Sequence, residues 1–450
     1  MFRGIAIAVI VVFSSQPRAV STHGGQDGNA KQPATAAQGR DGATASSKVT
    51  QVRTGDELQK ALAGGGIIEL QPGATFEAAR FTVRKSGTVI RGQGAMLKGT
   101  AGPGLYIPPS LSGIRVSDLS VESADNQAAV QCGDNGPTQT SVAQQPTDIV
   151  FEKVTIPQHR GKRGFEINCA ARLIDSRALD VYSPAALDSQ AIGILNTCGP
   201  VSVVGGEYVA ASENVLVGGD SLKITDCPEN VVADLTFDRL TLSKPESWRT
   251  DGVKRSNKNL FELKAGKRVT LKNSTLTGSW KDGQDGWAIL ITPRNGAFIE
   301  DVVIDGVTVD RAGGGVQFLG LSRGNSTPKA TSGVVIRNSK FTISKAENGG
   351  RGVLALYVGG MLDSTWDNVT ATFDGPAILQ ADSKVPQGPF VMRNSRMNTG
   401  RLAVQAPGAN FGSRAPEKYA DRALTTVFEG NTFTGAPSAF RKLYPKNKFE

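Results

Sequence analysis

The sequence has almost no histidine: His23 and His159 are the only two, so a His-based metal centre is excluded as its organising feature. The four cysteines, Cys132, Cys169, Cys198 and Cys227, match no zinc spacing either. Aromatic residues make up only 6% of the chain, and no long amphipathic helical stretch is present, which removes helical bundles and helical repeats from consideration. Leucine-rich repeats and propeller blades lack their signatures as well. No nucleic-acid module is recognisable, and Lys and Arg are scattered rather than clustered, so nucleic acid is not an expected partner despite a formal charge of +9.

What the chain has in abundance is glycine, 53 residues in 450, and many short apolar runs separated by Gly, Asn, Asp and Ser. That pattern predicts an all-β protein. Residues 1–21 read as a secretory signal: Arg3 gives the positive start, Ile5 to Phe13 a short apolar core, and Ala19, Val20 and Ser21 a small-residue cleavage site. Residues 22–48 lack large apolar side chains and read as a disordered linker. The expected protein is therefore exported to the periplasm or medium, monomeric and without stable membrane association. An exported basic protein points to an acidic partner, such as a uronate-containing polysaccharide.

Residues 49–450 carry a repeat. The segment NLFELKAGKRVTLKNSTL, Asn259 to Leu276, contains one unit in compressed form, with Phe261 and Leu263 on one face and Glu262 and Lys264 on the other. Related copies recur at 232–242, 301–309, 333–341, 389–397 and 425–433, and the anchors Asp238, Asn273, Asp305 and Asn338 are 35, 32 and 33 residues apart. Each unit holds three short strand-forming runs, which is the content of one coil of a right-handed parallel β-helix. Asn273, Asn338 and Asn394 are expected turn anchors that bond local backbone and stack on their neighbours. Asp56 to Leu62 is expected to form a short helix that caps the open end of a single β-helix domain. The cysteines fall near the repeat interval, which permits disulfides between coils or a buried stack of free thiols.

With these residues in view, the run from Thr54 through Lys98, and the repeats as far as Phe433, resemble the pectate-lyase-like superfamily. The stretches ENVLVGGD, KNLFELK and GWAILITPRN resemble an uncharacterised branch of secreted bacterial β-helix proteins within it. The resemblance implies that the first strand of each coil, with the long loop before it, builds a substrate cleft.

The sequence places long loops there independently, at 183–190, 244–258 and 278–286. Aligned first strands predict an outward polar column of Glu166, Asn168, Asn196, Glu262, Lys264, Thr292, Arg294 and Gln317. Trp248, Arg249, Trp280, Asn196, Asp188 and Gln317 are the expected substrate-binding residues, because flat rings beside polar groups suit sugars. The expected chemistry is β-elimination on an acidic polysaccharide by a polysaccharide lyase. Lys264 would act as base, Arg294 or Lys244 would neutralise the uronate carboxylate, and Glu262 would complete the charged floor. Glu213 and Asp220 are the candidate ligands for calcium, without a calcium-loop spacing. A hydrolase using two of these carboxylates, or a glycan-binding surface protein, uses the same scaffold.

Overall fold

Every strand pairing between named strands is parallel, and successive partners lie about 25 to 35 residues apart in the sequence. A computed structural model describes residues 49–321, 329–381, 387–405 and 424–450. The signal and linker expected over residues 1–48 lie outside the described residues. Ser47–Glu450 forms one unit, an all-β right-handed parallel β-helix. No helix among the described residues is long and apolar enough to cross a membrane.

The described strands form two sheets. One has 25 strands and holds the second and third strands of each coil; the other has 12 and holds the first strands. The smaller sheet runs through Arg163–Ile167, Gln190–Ile194, Glu213–Val217, Phe261–Leu263, Trp287–Ile291, Gly314–Leu319 and Ala355–Val358. All seven contain or overlap first strands anticipated from the repeat.

Inward side chains repeat coil on coil. Val203, Phe237, Leu271, Ile304, Ile336, Trp366 and Met392 occupy one register position and form a continuous buried ladder. Phe261, Leu263, Val269, Leu271 and Leu276 are buried rungs, as their alternation predicts. Asn273, Asn338 and Asn394 sit at turns with φ of 51°, 51° and 50°, a region Asn enters more readily than most residues, but their side chains bond neighbouring coils rather than the local backbone expected from the sequence. Their amides donate to Asp238, Asp305 and Asp367 on the preceding coil at 2.9, 2.8 and 2.8 Å.

The ends are closed by helices. Gly55–Gly64 buries Leu58 and Leu62 over the first coil, with Thr54 capping it by accepting from the Glu57 amide. At the other end, Ser438–Leu443 inserts Phe440 against Phe428 and Phe433, a cap the sequence reading does not include.

The cysteines pair as Cys132–Cys169 and Cys198–Cys227, which resolves the disulfide alternative. The second pair ties the loop after Glu213–Val217 to the coil before it. His159 is buried, and burial lowers its pKa to about 4, although backbone groups of Gln127 and Ser123 and the Asp125 carboxylate oppose the shift.

Candidate active site on the outer face of the twelve-stranded sheet

Each first strand enters its sheet with two consecutive inward residues: Ala191 and Ile192, Leu260 and Phe261, and Ala288 and Ile289 all lie in the core. This doubling breaks the simple alternation at the strand entrance. The residue before each pair therefore faces outward, as does the residue after it. The first outward row holds Arg163, Gln190, Glu213, Asn259 and Trp287; the second holds Glu166, Gly193, Leu216, Glu262, Leu290 and Gln317.

Glu166, Glu262 and Gln317 thus share one register position, as the aligned strands predict. They are not contiguous, because Gly193, Leu216 and Leu290 intervene. Glu262 is consequently flanked by leucines on both neighbouring strands and is only 2% exposed. Asn259 Nδ2 donates to Glu262 Oε2 at 3.0 Å, and Lys264 Nζ stands 3.5 Å from Oε1. Thr292 Oγ1 donates to Oε1 at 3.4 Å. Burial holds the Glu262 carboxyl well above the usual carboxylate range; Glu213 pushes it further up, and Lys264 and Lys258 oppose.

Lys264 and Arg294 lie on neighbouring coils. The Arg294 amide donates to the Lys264 carbonyl at 3.1 Å, and the Lys264 side chain keeps 20% of its surface exposed. Arg294 is exposed and has no ion-pair partner among the described residues.

Glu213 lies one strand away in the first outward row. Gln190 Nε2 donates to its Oε2 at 2.7 Å, and Lys258 Nζ is 3.4 Å from Oε1. Lys258 also reaches Asp188 at 2.5 Å. Burial pulls the Lys258 ammonium down, but the Glu213 and Asp188 carboxylates outweigh it and leave its pKa raised.

Three expected roles are corrected by this geometry. Lys244 cannot meet a substrate carboxylate: it is fully buried, and its Nζ donates to the carbonyls of Ala210, Ala211, Ser212 and Asn259, at 2.5 to 3.2 Å. Burial lowers its pKa to about 7, with Glu213 opposing and Lys258 adding to the fall. Asn196 cannot bind substrate, because its amide is buried and fully engaged. Its Nδ2 donates to the Asp134 and Gln139 carbonyls, and its Oδ1 accepts from the Lys223 and Ile224 amides.

Glu213 and Asp220 do not form a calcium site. They lie at opposite ends of the Glu213–Val217 strand region; Lys258 already holds the cation position beside Glu213, and Asp220 accepts from Asn135. No group of three or more His, Cys, Asp or Glu side chains suited to a metal occurs among the described residues.

The long loops meet on one flank. The turn Glu246–Arg249 is fastened to the loop before Ala355–Val358, because Arg249 donates to the Glu347 carbonyl and to the Asn348 side chain. A groove of about 390 Å³ opens there, lined in part by Trp248, Arg249 and Trp280. The Arg249 guanidinium lies 4.6 Å from the Trp280 ring centroid, and Arg255 lies 4.4 Å from that of Trp248. Trp287, by contrast, is buried on the outer face against Leu290, Val353 and Leu356. Asp188 is exposed, tethered to Lys258, and Gln317 is partly exposed on the second outward row.

The alternation pattern misses Gln190, Lys258 and Asn259, which hold the two buried glutamates. Their signal is positional: Gln190 and Asn259 directly precede the doubled inward pair, and Lys258 comes one residue earlier.

No family model matches the sequence, and no curated relative does. Solved structures of similar fold include the catalytic unit of a GH87 alpha-1,3-glucanase from Streptomyces thermodiastaticus. It is 14% identical with a TM-score of 0.47, over 90% of this chain and 70% of that one. An alginate lyase from a Paenibacillus species is 14% identical with a TM-score of 0.28, over 85% of this chain and 98% of that one. The A-module of a mannuronan C-5 epimerase from Azotobacter vinelandii is 12% identical with a TM-score of 0.33, over 85% and 95%.

Proposed function

We propose that the protein is a carbohydrate-active enzyme that cleaves a uronate-containing polysaccharide by β-elimination on the outer face of the twelve-stranded sheet. The observation that carries this reading is the Lys264–Glu262 pair: a partly exposed ammonium 3.5 Å from a carboxyl that burial inclines toward its neutral form. Moving the pair's proton from Lys264 to Glu262 leaves a neutral amine facing the cleft with a carboxylic acid behind it. The raised Glu262 carboxyl lowers the cost of that transfer.

The amine then removes the proton α to the uronate carboxyl group. The electron pair left on carbon forms a double bond to the adjacent carbon as the glycosidic C–O bond breaks, and the departing oxygen takes a proton from water. Negative charge gathers on the uronate carboxyl during this step. Arg294, exposed and on the coil adjacent to Lys264, supplies the opposing cation.

A hydrolase reading would use Glu213 and Glu262 as its two carboxylates. It is less favoured because Glu213 is buried beneath Gln190 and Lys258.

The test is incubation of the pure protein with polygalacturonate, alginate and chondroitin, following ultraviolet absorbance of an unsaturated product and, separately, new reducing ends. Unsaturated product that disappears in K264A is the expected result. Reducing ends without unsaturated product would move the assignment to hydrolysis, and neither signal across a broad uronate panel would overturn catalysis.

A further inference from the structure

The lining of the groove beside the candidate site includes a side-chain amide that its surroundings leave unsatisfied. Asn257 is buried and lines the groove, yet neither its Nδ2 nor its Oδ1 has a hydrogen-bond partner. Its backbone is fixed, since the Asn257 amide donates to Asp282 Oδ2 at 2.8 Å. Both atoms are closed off from solvent just behind the groove wall, so a small turn of the side chain is what would bring this unpartnered amide to a polar ligand.

The rest of the lining says which kind. Arg249 and Arg255 each lie over an indole and are steadied by Glu246 and Asp251 at 2.7 Å. Lys254 and Lys281 also line the groove, are exposed, and have no ion-pair partner among the described residues. Asp282 is the one acid in the lining. With Arg249 and Arg255 already paired to Glu246 and Asp251, Lys254 and Lys281 carry the groove's unpaired positive charge, and with indole surfaces beside them they suit a pyranose ring carrying an anionic substituent.

We infer that this groove is a subsite for a sugar residue bearing a carboxylate or a sulfate, bound by Asn257 through its hydroxyls and by Lys254 and Lys281 through its charge. The inference rests on the proposed function in that the groove adjoins the candidate site: Asn257 is two residues from Asn259, whose amide holds Glu262. Arg255, Lys254, Lys281 and Asn257 lie outside the set that the sequence singles out. They would set which sugar sits beside the reacting one.

The experiment measures binding separately from turnover. E262Q protein is titrated calorimetrically with trigalacturonate, a heparin-derived oligosaccharide and a neutral trisaccharide, with indole fluorescence recorded in parallel. Anionic ligands are expected to bind and the neutral one not to, with affinity falling as salt rises. In the same background K254A and K281A, both exposed and harmless to folding, should each weaken binding roughly tenfold, and N257A should weaken it for both anionic ligands.

The stronger of the two anionic ligands identifies the substituent. Equal binding of the neutral trisaccharide, or no effect of K254A and K281A, would overturn the subsite. If anionic ligands bind with this sensitivity while wild type yields no unsaturated product, the subsite stands and the elimination falls. If product forms and these variants leave KM unchanged, the subsite falls and the elimination stands.

Discussion

The Arg294 amide donates to the carbonyl of Lys264 at 3.1 Å, which joins two cations that are thirty residues apart in the chain at one edge of the candidate cleft. Adjacent parallel strands lie about 4.8 Å apart, which brings the two residues' backbones onto neighbouring coils. If Lys264 is the base and Arg294 the charge partner, their replacements should differ in kind. K264A is expected to lower kcat by roughly 100- to 10,000-fold, the usual range for losing an acid–base group. R294A should lower kcat and raise KM, because the uronate carboxylate is charged in both the ground and transition states. Steady-state kinetics on the preferred uronate polymer checks both, and an R294A effect confined to kcat would contradict the assignment.

Glu262 makes stability depend on pH with a definite sign. Its folded-state carboxyl is raised, by burial first and by Glu213 second, so the folded protein keeps a proton there that the unfolded chain has released. The stabilisation is fully present below the unfolded value of 4.5 and is lost as pH rises toward neutrality. E262Q, which mimics the protonated form, should remove this component. Denaturant midpoints of wild type should fall relative to E262Q between about pH 4.5 and pH 8, and parallel curves would show that Glu262 is ionised in the fold.

Lys244 is expected to behave as a structural residue. Its ammonium satisfies four backbone carbonyls at the corner where the loop 244–258 leaves the third strand. K244M fills similar space and leaves those carbonyls without their donor, at a cost of about 3 kcal/mol. Chemical denaturation should report that loss, while the folded fraction of K244M binds trigalacturonate as wild type does. Weakened binding in fully folded protein would instead put Lys244 in contact with substrate.

These outcomes follow how far the sequence could be read. The inner ladder and the asparagine turns were legible because each depends on a short local pattern: alternation for Phe261 and Leu263, and a left-handed turn for Asn273. The placement of Lys264 and Arg294 on neighbouring coils was legible because coil stacking turns a sequence interval into a spatial neighbour. Burial of outward groups was not legible. Glu262 points outward as its alternation predicts, and is buried because Leu216 and Leu290 flank it from other coils. Lys244 and Asn196 read as surface polar residues, yet their partners are carbonyls and amides of loops whose paths no local pattern fixes. The doubled inward residues at each strand entrance hid Gln190 and Asn259, since a strict period of two assigns them to the wrong face.

Asn338 gives a direct test of the turn argument. Its backbone has φ of 51°, its Nδ2 donates to Asp305 Oδ1 at 2.8 Å, and its Oδ1 accepts from Asn368 at 2.9 Å. N338A removes both bonds and leaves a side chain with no local compensation for the left-handed conformation, so it should cost about 2 kcal/mol. N338G removes the same bonds but adopts that φ without strain, so it should cost about half as much. The difference between the two variants isolates the backbone contribution, because the lost hydrogen bonds are common to both. Equal losses in urea denaturation would mean that the hydrogen bonds between neighbouring coils, rather than the turn conformation, select asparagine at this corner.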